Sequence, residues 1–77
     1  MSEMEWLNIF CENLRYMLDH ARMTQKDLAE ETGLSEASIS RYVNGERIPS
    51  VRALINIAHA LDCSLGDIMD FGDRIEG

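Results

Sequence analysis

The side chains that could bind a metal ion or carry out catalysis are few and widely spaced. His59 and Cys63 lie four residues apart, and Cys11 and His20 are the other candidate ligands. This spacing matches no zinc pattern with two paired ligands, and the sequence offers no nucleophile with its base, no glycine-rich phosphate loop and no carboxylate pair. We therefore expect no metal, no cofactor and no enzymatic activity. Both cysteines are expected to be reduced thiols that pack as small apolar groups.

The length and the charge of the chain restrict the functions that it can have. Its 77 residues suffice for one domain with a thin core, which leaves no room for a large substrate pocket. Seven basic and fourteen acidic residues give a net charge of −7, and no basic tail offsets this charge near a polyanion. The first residues lack the basic and apolar regions of a secretory signal, and no apolar run is long enough to span a membrane. A cytoplasmic protein without membrane association is expected.

Hydrophobic residues recur at helical spacing along the whole chain, and no segment alternates in the way a strand does. The first helix is predicted at about residues 5–21. Its apolar residues are spaced by three or four positions and would form one stripe that faces the core: Trp6, Phe10, Leu14, Met17 and Ala21. With the shorter helices described next, this pattern predicts an all-α domain of five helices.

Four shorter helices are predicted after the first one, each preceded by a residue suited to capping. They are expected between Thr24 and Gly33, at residues 36–43, at residues 51–61 and at residues 65–69. The N-caps would be Thr24, Ser35, Ser50 and Ser64. Asp27 and Asp67 lie three residues after two of these caps and can complete capping boxes.

The second and third helices have the spacing of a helix-turn-helix. Residues 33–35 form a connection too short for the two helices to lie antiparallel, so the helices must cross steeply. Ala29 is small enough to let the next helix approach closely, and Gly33 can adopt the positive φ that the turn needs. Ile39 is expected to fill the angle between the helices.

A known family shares this pattern of residues. The segments that carry the likeness are Thr24-Gln25-Lys26-Asp27-Leu28-Ala29, Gly33-Leu34-Ser35, Ile39-Ser40-Arg41-Tyr42, Asn44-Gly45 and Ile48-Pro49-Ser50, continued by residues 54–65. They closely resemble the Xre/Cro-type helix-turn-helix of phage and bacterial repressors. The resemblance covers residues 12–69, with the motif at residues 25–44, and implies a five-helix, lambda-repressor-like DNA-binding domain. Residues 1–11 would extend the first helix, and residues 70–77 would form a polar tail.

The resemblance also implies a function. Members of this family are sequence-specific transcriptional regulators, often phage or prophage repressors, that bind double-stranded operator DNA as symmetric homodimers. The third helix would enter the major groove and the second would lie against phosphates. Carried over by position, the base-contacting residues would be Ser35, Glu36, Ala37, Ser40 and Arg41. The phosphate-contacting residues would be Gln25, Lys26, Asn44 and Arg47.

The residue types at these positions suit DNA recognition. Arg41 can donate two hydrogen bonds to guanine, Glu36 can accept one from cytosine, and Ala37 offers a methyl group to thymine. The N-termini of the second and third helices expose N–H groups and a partial positive charge, which attract phosphate. The alternative interpretation of this surface is a solvated helix face that binds nothing.

The net charge leaves a second function open. The basic residues near the expected contact face are Lys26, Arg41, Arg47 and Arg52, and the nearby acidic residues are Glu30, Glu31 and Glu46. Either DNA binding is modest and sensitive to salt, or the domain binds a protein partner instead. In the second case it would be a protein-interaction module of the same fold, similar to an antitoxin or an antirepressor.

Two further expectations concern apolar residues. Members of the family often place an arginine where Leu18 stands and a glutamate where Val43 stands, so these two side chains are expected to be buried and in contact. The first helix also carries more apolar residues near its start than one face can bury, namely Trp6, Leu7, Ile9 and Phe10, and Phe71 lies near the other end. This surplus predicts a homodimer, with helices four and five as the first candidate interface and the N-terminal extension as the second.

Overall fold

A computed structural model describes residues 2–68, which form five α-helices and no strand. The helices are α1 Glu3–Ala21, α2 Gln25–Thr32, α3 Glu36–Val43, α4 Val51–Ala60 and α5 Leu65–Ile68. The all-α fold with five helices is therefore confirmed. The prediction placed the start of α1 two residues too late and included Leu61, the C-cap of α4, in the helix. Met69, Phe71 and the tail at residues 70–77 lie outside the described residues.

A hydroxyl side chain caps the start of every helix in the described part of the chain. Each hydroxyl accepts a hydrogen bond from the backbone N–H three residues later, at 3.0 to 3.2 Å. These caps are Ser2, Thr24, Ser35, Ser50 and Ser64. At two of them an aspartate accepts a hydrogen bond from the cap's own N–H, which confirms both predicted capping boxes. The Ser2 cap was not foreseen, and it explains why α1 begins early.

The core draws on all five helices. Its fully buried side chains are Phe10, Leu14, Leu28, Ile39, Ile57 and Ile68. The helix α1 packs against α3 and α5, while α2 packs against α3 and α4. Met17 is only half-buried, and Ala21, predicted to face the core, is exposed as the last residue of α1. Within residues 2–68, no helix has both the length and the apolar character needed to cross a membrane.

The first part of α1 buries most of its apolar surface inside the domain. Leu7 and Phe10 are buried, and Trp6 and Ile9 are half-buried. The rings of Trp6 and Phe10 are stacked, with centroids 5.5 Å apart and planes inclined by 8°. These residues therefore do not require a partner chain to cover them.

The crossing of α2 and α3 has the features expected from the sequence. Ala29 is buried, Ile39 is fully buried, and Gly33 has φ 76°. The N–H of Gly33 donates to the carbonyl of Ala29 at 2.9 Å, which closes the last turn of α2. Tyr42 is also buried on the inner side of α3, a position that the sequence analysis had not assigned to the core.

Leu18 and Val43 are both buried, each with 6% of its surface exposed, and both belong to the same core cluster. The expected burial is confirmed. Two apolar side chains in this place need no charge compensation, whereas a single carboxylate there would be desolvated without a partner.

We expect Val43→Glu to lower the free energy of unfolding by roughly 2–4 kcal/mol, because it buries an unpaired charge. Urea denaturation at neutral pH measures the effect. Ala37→Glu, at an exposed position of the same helix, is the control and should change stability by less than about 0.5 kcal/mol. Adding Leu18→Arg to Val43→Glu should recover part of the loss. If Val43→Glu had the stability of the wild type, the prediction would be wrong, because the carboxylate would then remain hydrated rather than buried.

Candidate nucleic-acid interface

The helix α3 buries one face and exposes the other. Ile39, Tyr42 and Val43 face the core. Of the residues predicted to contact bases, Ala37 and Arg41 are exposed on the opposite side, Ser35 and Glu36 are exposed at the start of the helix, and Ser40 is half-buried. A helix that exposes short polar side chains and one arginine has residue types that can contact bases in the major groove of DNA.

Hydrogen bonds within α3 restrict what its serines can contact. The Ser35 hydroxyl accepts from the N–H of Ser38 at 3.1 Å and donates to the Ser38 hydroxyl at 3.0 Å, so it serves mainly as the helix cap. Sequence reasoning had not noticed Ser38. The Asn44 side-chain amide donates to the Ser40 hydroxyl at 3.3 Å, which leaves the Ser40 O–H free to donate.

The N-terminus of α2 presents the predicted phosphate contacts. Gln25 and Lys26 are its first two residues, with Gln25 half-buried and Lys26 exposed. Their N–H groups precede the first hydrogen bond within the helix, which runs from Leu28 to the Thr24 carbonyl. Such N–H groups and the positive end of the helix dipole favour a bound anion.

Asp27 competes for the same positive potential. Its carboxylate accepts a hydrogen bond from the Thr24 N–H at 3.0 Å. The hydrogen bond from the Thr24 backbone, followed by that from its side chain, holds the pKa of Asp27 below its ordinary value. The carboxylate is therefore charged at neutral pH and offsets part of the attraction for phosphate.

The loop between α3 and α4 carries the last two predicted phosphate contacts. Asn44 and Arg47 are both exposed in it. Gly45 has φ 70°, a left-handed conformation that side chains rarely adopt, so this turn needs the conformational freedom of glycine. The Glu46 N–H donates to the Arg41 carbonyl at 2.8 Å and holds the loop to α3.

The candidate metal ligands do not come together. No group of three histidine, cysteine or acidic side chains in residues 2–68 is placed to hold a metal ion. His59 is exposed, Cys11 is buried and Cys63 is half-buried. The Cys63 sulfur lies 3.8 Å from the Met17 sulfur, and burial, with help from two nearby aspartates, raises the pKa of the Cys63 thiol. Both free thiols act as packing groups.

Comparison of the amino-acid sequence with known proteins shows the family of this chain. A family model described as the Cro/C1-type HTH DNA-binding domain matches residues 13–73, which is more than half of the chain. An uncharacterised HTH-type transcriptional regulator of Bacillus subtilis, YqaE, is 35% identical over 57 residues, or 74% of this chain and 49% of YqaE.

Two further proteins are similar over shorter parts of their length. The cryptic phage CTXphi transcriptional repressor RstR of Vibrio cholerae is 38% identical over 45 residues, which cover 58% of this chain and 40% of RstR. The replication factor C small subunit of Methanocaldococcus jannaschii is 34% identical over 59 residues, 77% of this chain but 3% of that protein. The chain thus spans about half or less of the curated relatives it matches.

Acidification should remove a contribution of Asp27 to stability. Because its pKa is lower in the folded state than in the unfolded chain, this contribution is full above the unfolded value and is lost as the pH falls through the folded one. The difference in Tm between the wild type and Asp27→Asn should therefore shrink from about pH 5 to about pH 2. Glu30→Gln is the control for loss of one negative charge in α2. A difference that does not vary with pH would contradict the role of Asp27.

Proposed function

Because the chain belongs to the Cro/C1-type HTH DNA-binding domain family, we propose that it represses transcription by binding specific operator DNA as a homodimer. The family expected from the sequence is confirmed, and it is a family of DNA-binding regulators rather than of enzymes. The observation that carries the proposal is that α3 is anchored to the core by Ile39, Tyr42 and Val43 and leaves Glu36, Ala37 and Arg41 exposed.

Base recognition is assigned to α3. Arg41 has the planar guanidinium that can bind two acceptors of guanine, and Glu36 can accept from the cytosine amino group. Ala37 can contact the thymine methyl, and the free O–H of Ser40 can donate to a base acceptor. Ser35 keeps one unused acceptor position on its hydroxyl, so its predicted contact is limited to accepting a hydrogen bond.

Phosphate binding is assigned to the residues on either side of α3. Gln25 and Lys26 would contact one strand from the start of α2, and Asn44 and Arg47 would contact the backbone from the loop after α3. Phosphate contacts fix the register of the protein on the duplex and carry no sequence information directly. Operator binding of this kind also implies that the protein works in the cytoplasm, where bacterial or phage DNA is found.

The dimer is supported by an apolar surface on α4 and its neighbours. Val51 is 71% exposed and Ile55 is 49% exposed, and they lie one turn apart on α4. Ile48 in the preceding loop and Leu65 at the start of α5 are also exposed large apolar residues. Such residues are typical of a surface that a second chain covers. The burial of Leu7 and Phe10 makes the N-terminal extension the weaker candidate.

A protein partner remains the second candidate function. An open groove between α2 and the start of α3 is lined by Ala29, Gly33 and Leu34, with the charged side chains Lys26, Glu30 and Glu36 at its edges. Two of these three charges are negative, which suits a basic or mixed polar protein surface better than a phosphate backbone.

The two classes of DNA contact should respond differently to substitution. Arg41→Ala should reduce the preference for one base pair in each half-site, at a cost of about 1–3 kcal/mol in discrimination. Arg47→Ala should weaken binding to all sequences alike and reduce the salt slope by about one per site. Selection of operator sequences from a random library, followed by titrations at several salt concentrations, measures both effects.

Glu36→Gln is the matched test of the acidic residue on the contact face. If Glu36 accepts a hydrogen bond from cytosine, the substitution should alter base preference at one position. If Glu36 only repels phosphate, it should tighten binding to every sequence. Equal effects of Arg41→Ala and Arg47→Ala on selected and scrambled DNA, or no binding by the wild type at low salt, would favour the protein partner.

Self-association should depend on the apolar surface of α4. We expect sedimentation equilibrium of the wild type at tens of micromolar to show a species of twice 8.8 kDa. Ile55→Glu should shift the protein toward the monomer, because dimerisation would bury its charge. Tyr16→Glu replaces another exposed apolar residue, on α1 outside both candidate interfaces, and is the control. A wild-type monomer both with and without DNA would eliminate the dimer.

A further inference from the structure

The last four carbonyls of α3 all accept hydrogen bonds, although no later turn of the helix exists to supply the donors. Three of the donors come from the turn that follows the helix. The backbone N–H groups of Asn44, Glu46 and Gly45 donate to the carbonyls of Ser40, Arg41 and Tyr42, at 3.0, 2.8 and 3.2 Å respectively. The carbonyl of Val43 is the exception, since its donor comes from another helix.

That donor is the side chain of Arg15 on α1. Its Nε lies 3.0 Å from the Val43 carbonyl oxygen, and the two residues are 28 positions apart in the sequence. A guanidinium at this point also meets the negative end of the α3 dipole, so the hydrogen bond is charge-assisted. Because Leu18 and Val43 are apolar, no ion pair between their side chains can join α1 to the end of α3.

We propose that Arg15 is a positioning residue that holds the C-terminal end of α3 and the turn after it in the orientation needed for operator recognition. The turn begins at Asn44, whose side chain contacts Ser40, and it leads to Arg47. A change in the last turn of α3 therefore moves Arg41 and both loop residues together. This inference deepens the proposed DNA-binding function and rests on it.

Hydrogen exchange tests the structural part of the proposal without DNA. In Arg15→Gln, the amides of Asn44, Gly45 and Glu46 should exchange about three- to tenfold faster than in the wild type, because the end of α3 opens more often. The amides of the fully buried Leu14 and Leu28 should exchange at wild-type rates. Arg22→Gln is the control for the loss of one positive charge, because Arg22 is the exposed C-cap of α1. It should leave the turn unchanged.

DNA titration tests the functional part. For Arg15→Gln, the ratio of affinities for selected and scrambled DNA should fall about three- to tenfold while the salt slope stays at the wild-type value. Arg15→Lys keeps the charge without the planar group, and it should restore this ratio only in part. An equal loss on both sequences with a slope reduced by about one would make Arg15 a phosphate contact and overturn the proposal.

The two readouts separate the possible failures. Unchanged exchange at residues 44–46 in Arg15→Gln would overturn the positioning role, whatever the DNA results are. Equally faster exchange at Leu14 and Leu28 would also overturn it, because Arg15 would then support the whole fold rather than the end of α3. If the wild type binds no DNA, the proposed function fails and the role in recognition is overturned with it, while the exchange data still decide whether Arg15 holds the turn.

Discussion

The steep crossing of α2 and α3 is the constraint on which the rest of the domain depends. Three residues join the two helices, and Ile39 on the inner face of α3 is fully buried. Since α2 also packs against α4 and α3 against α1, the crossing fixes four of the five helices relative to one another. It leaves the outer face of α3 uncovered, because the core already takes up the opposite face. The exposed helix that would read DNA is thus a consequence of how the core closes.

The packing of α1 against α3 depends on two kinds of interaction with different roles. Leu18 and Val43 exclude water there and add to stability, but apolar contacts specify direction poorly. The hydrogen bond from Arg15 to the Val43 carbonyl is directional, so it can define where α3 ends. A buried ion pair would combine both tasks at the cost of desolvating two charges. Here the charged group stays exposed on Arg15 and that cost is avoided.

The sequence predicted the features that depend on neighbouring residues. Thr24 with Asp27 and Ser64 with Asp67 could be recognised as caps because a capping box is complete within four positions. Gly33 and Ile39 could be placed because the short turn allows few geometries. The burial of Tyr42 could have been predicted, because it lies three residues after Ile39 on the same face of α3. The contact between Arg15 and Val43 could not, since it depends on how distant helices pack. For the candidate site, the sequence predicted which residues of α3 are exposed, whereas the hydrogen bonds that occupy Ser35 are visible only in the structure.

The net negative charge of the domain matters more for how the proposed complex would discriminate between DNA sequences than for the fold. At physiological ionic strength, interactions between exposed charges are screened beyond about 8 Å, and the domain is 37 Å long. Acidic residues far from a bound duplex would therefore oppose it weakly, while Glu36 and Asp27, at the proposed contact face, would oppose it at short range. If the domain binds DNA as proposed, its few cations would supply little affinity that is independent of sequence, so binding to random DNA would be weak. An operator that offers Glu36 a hydrogen-bond donor would remove a penalty that every other sequence would retain. In the proposed complex, few cations together with an acidic residue on α3 would thus favour discrimination between sequences over affinity.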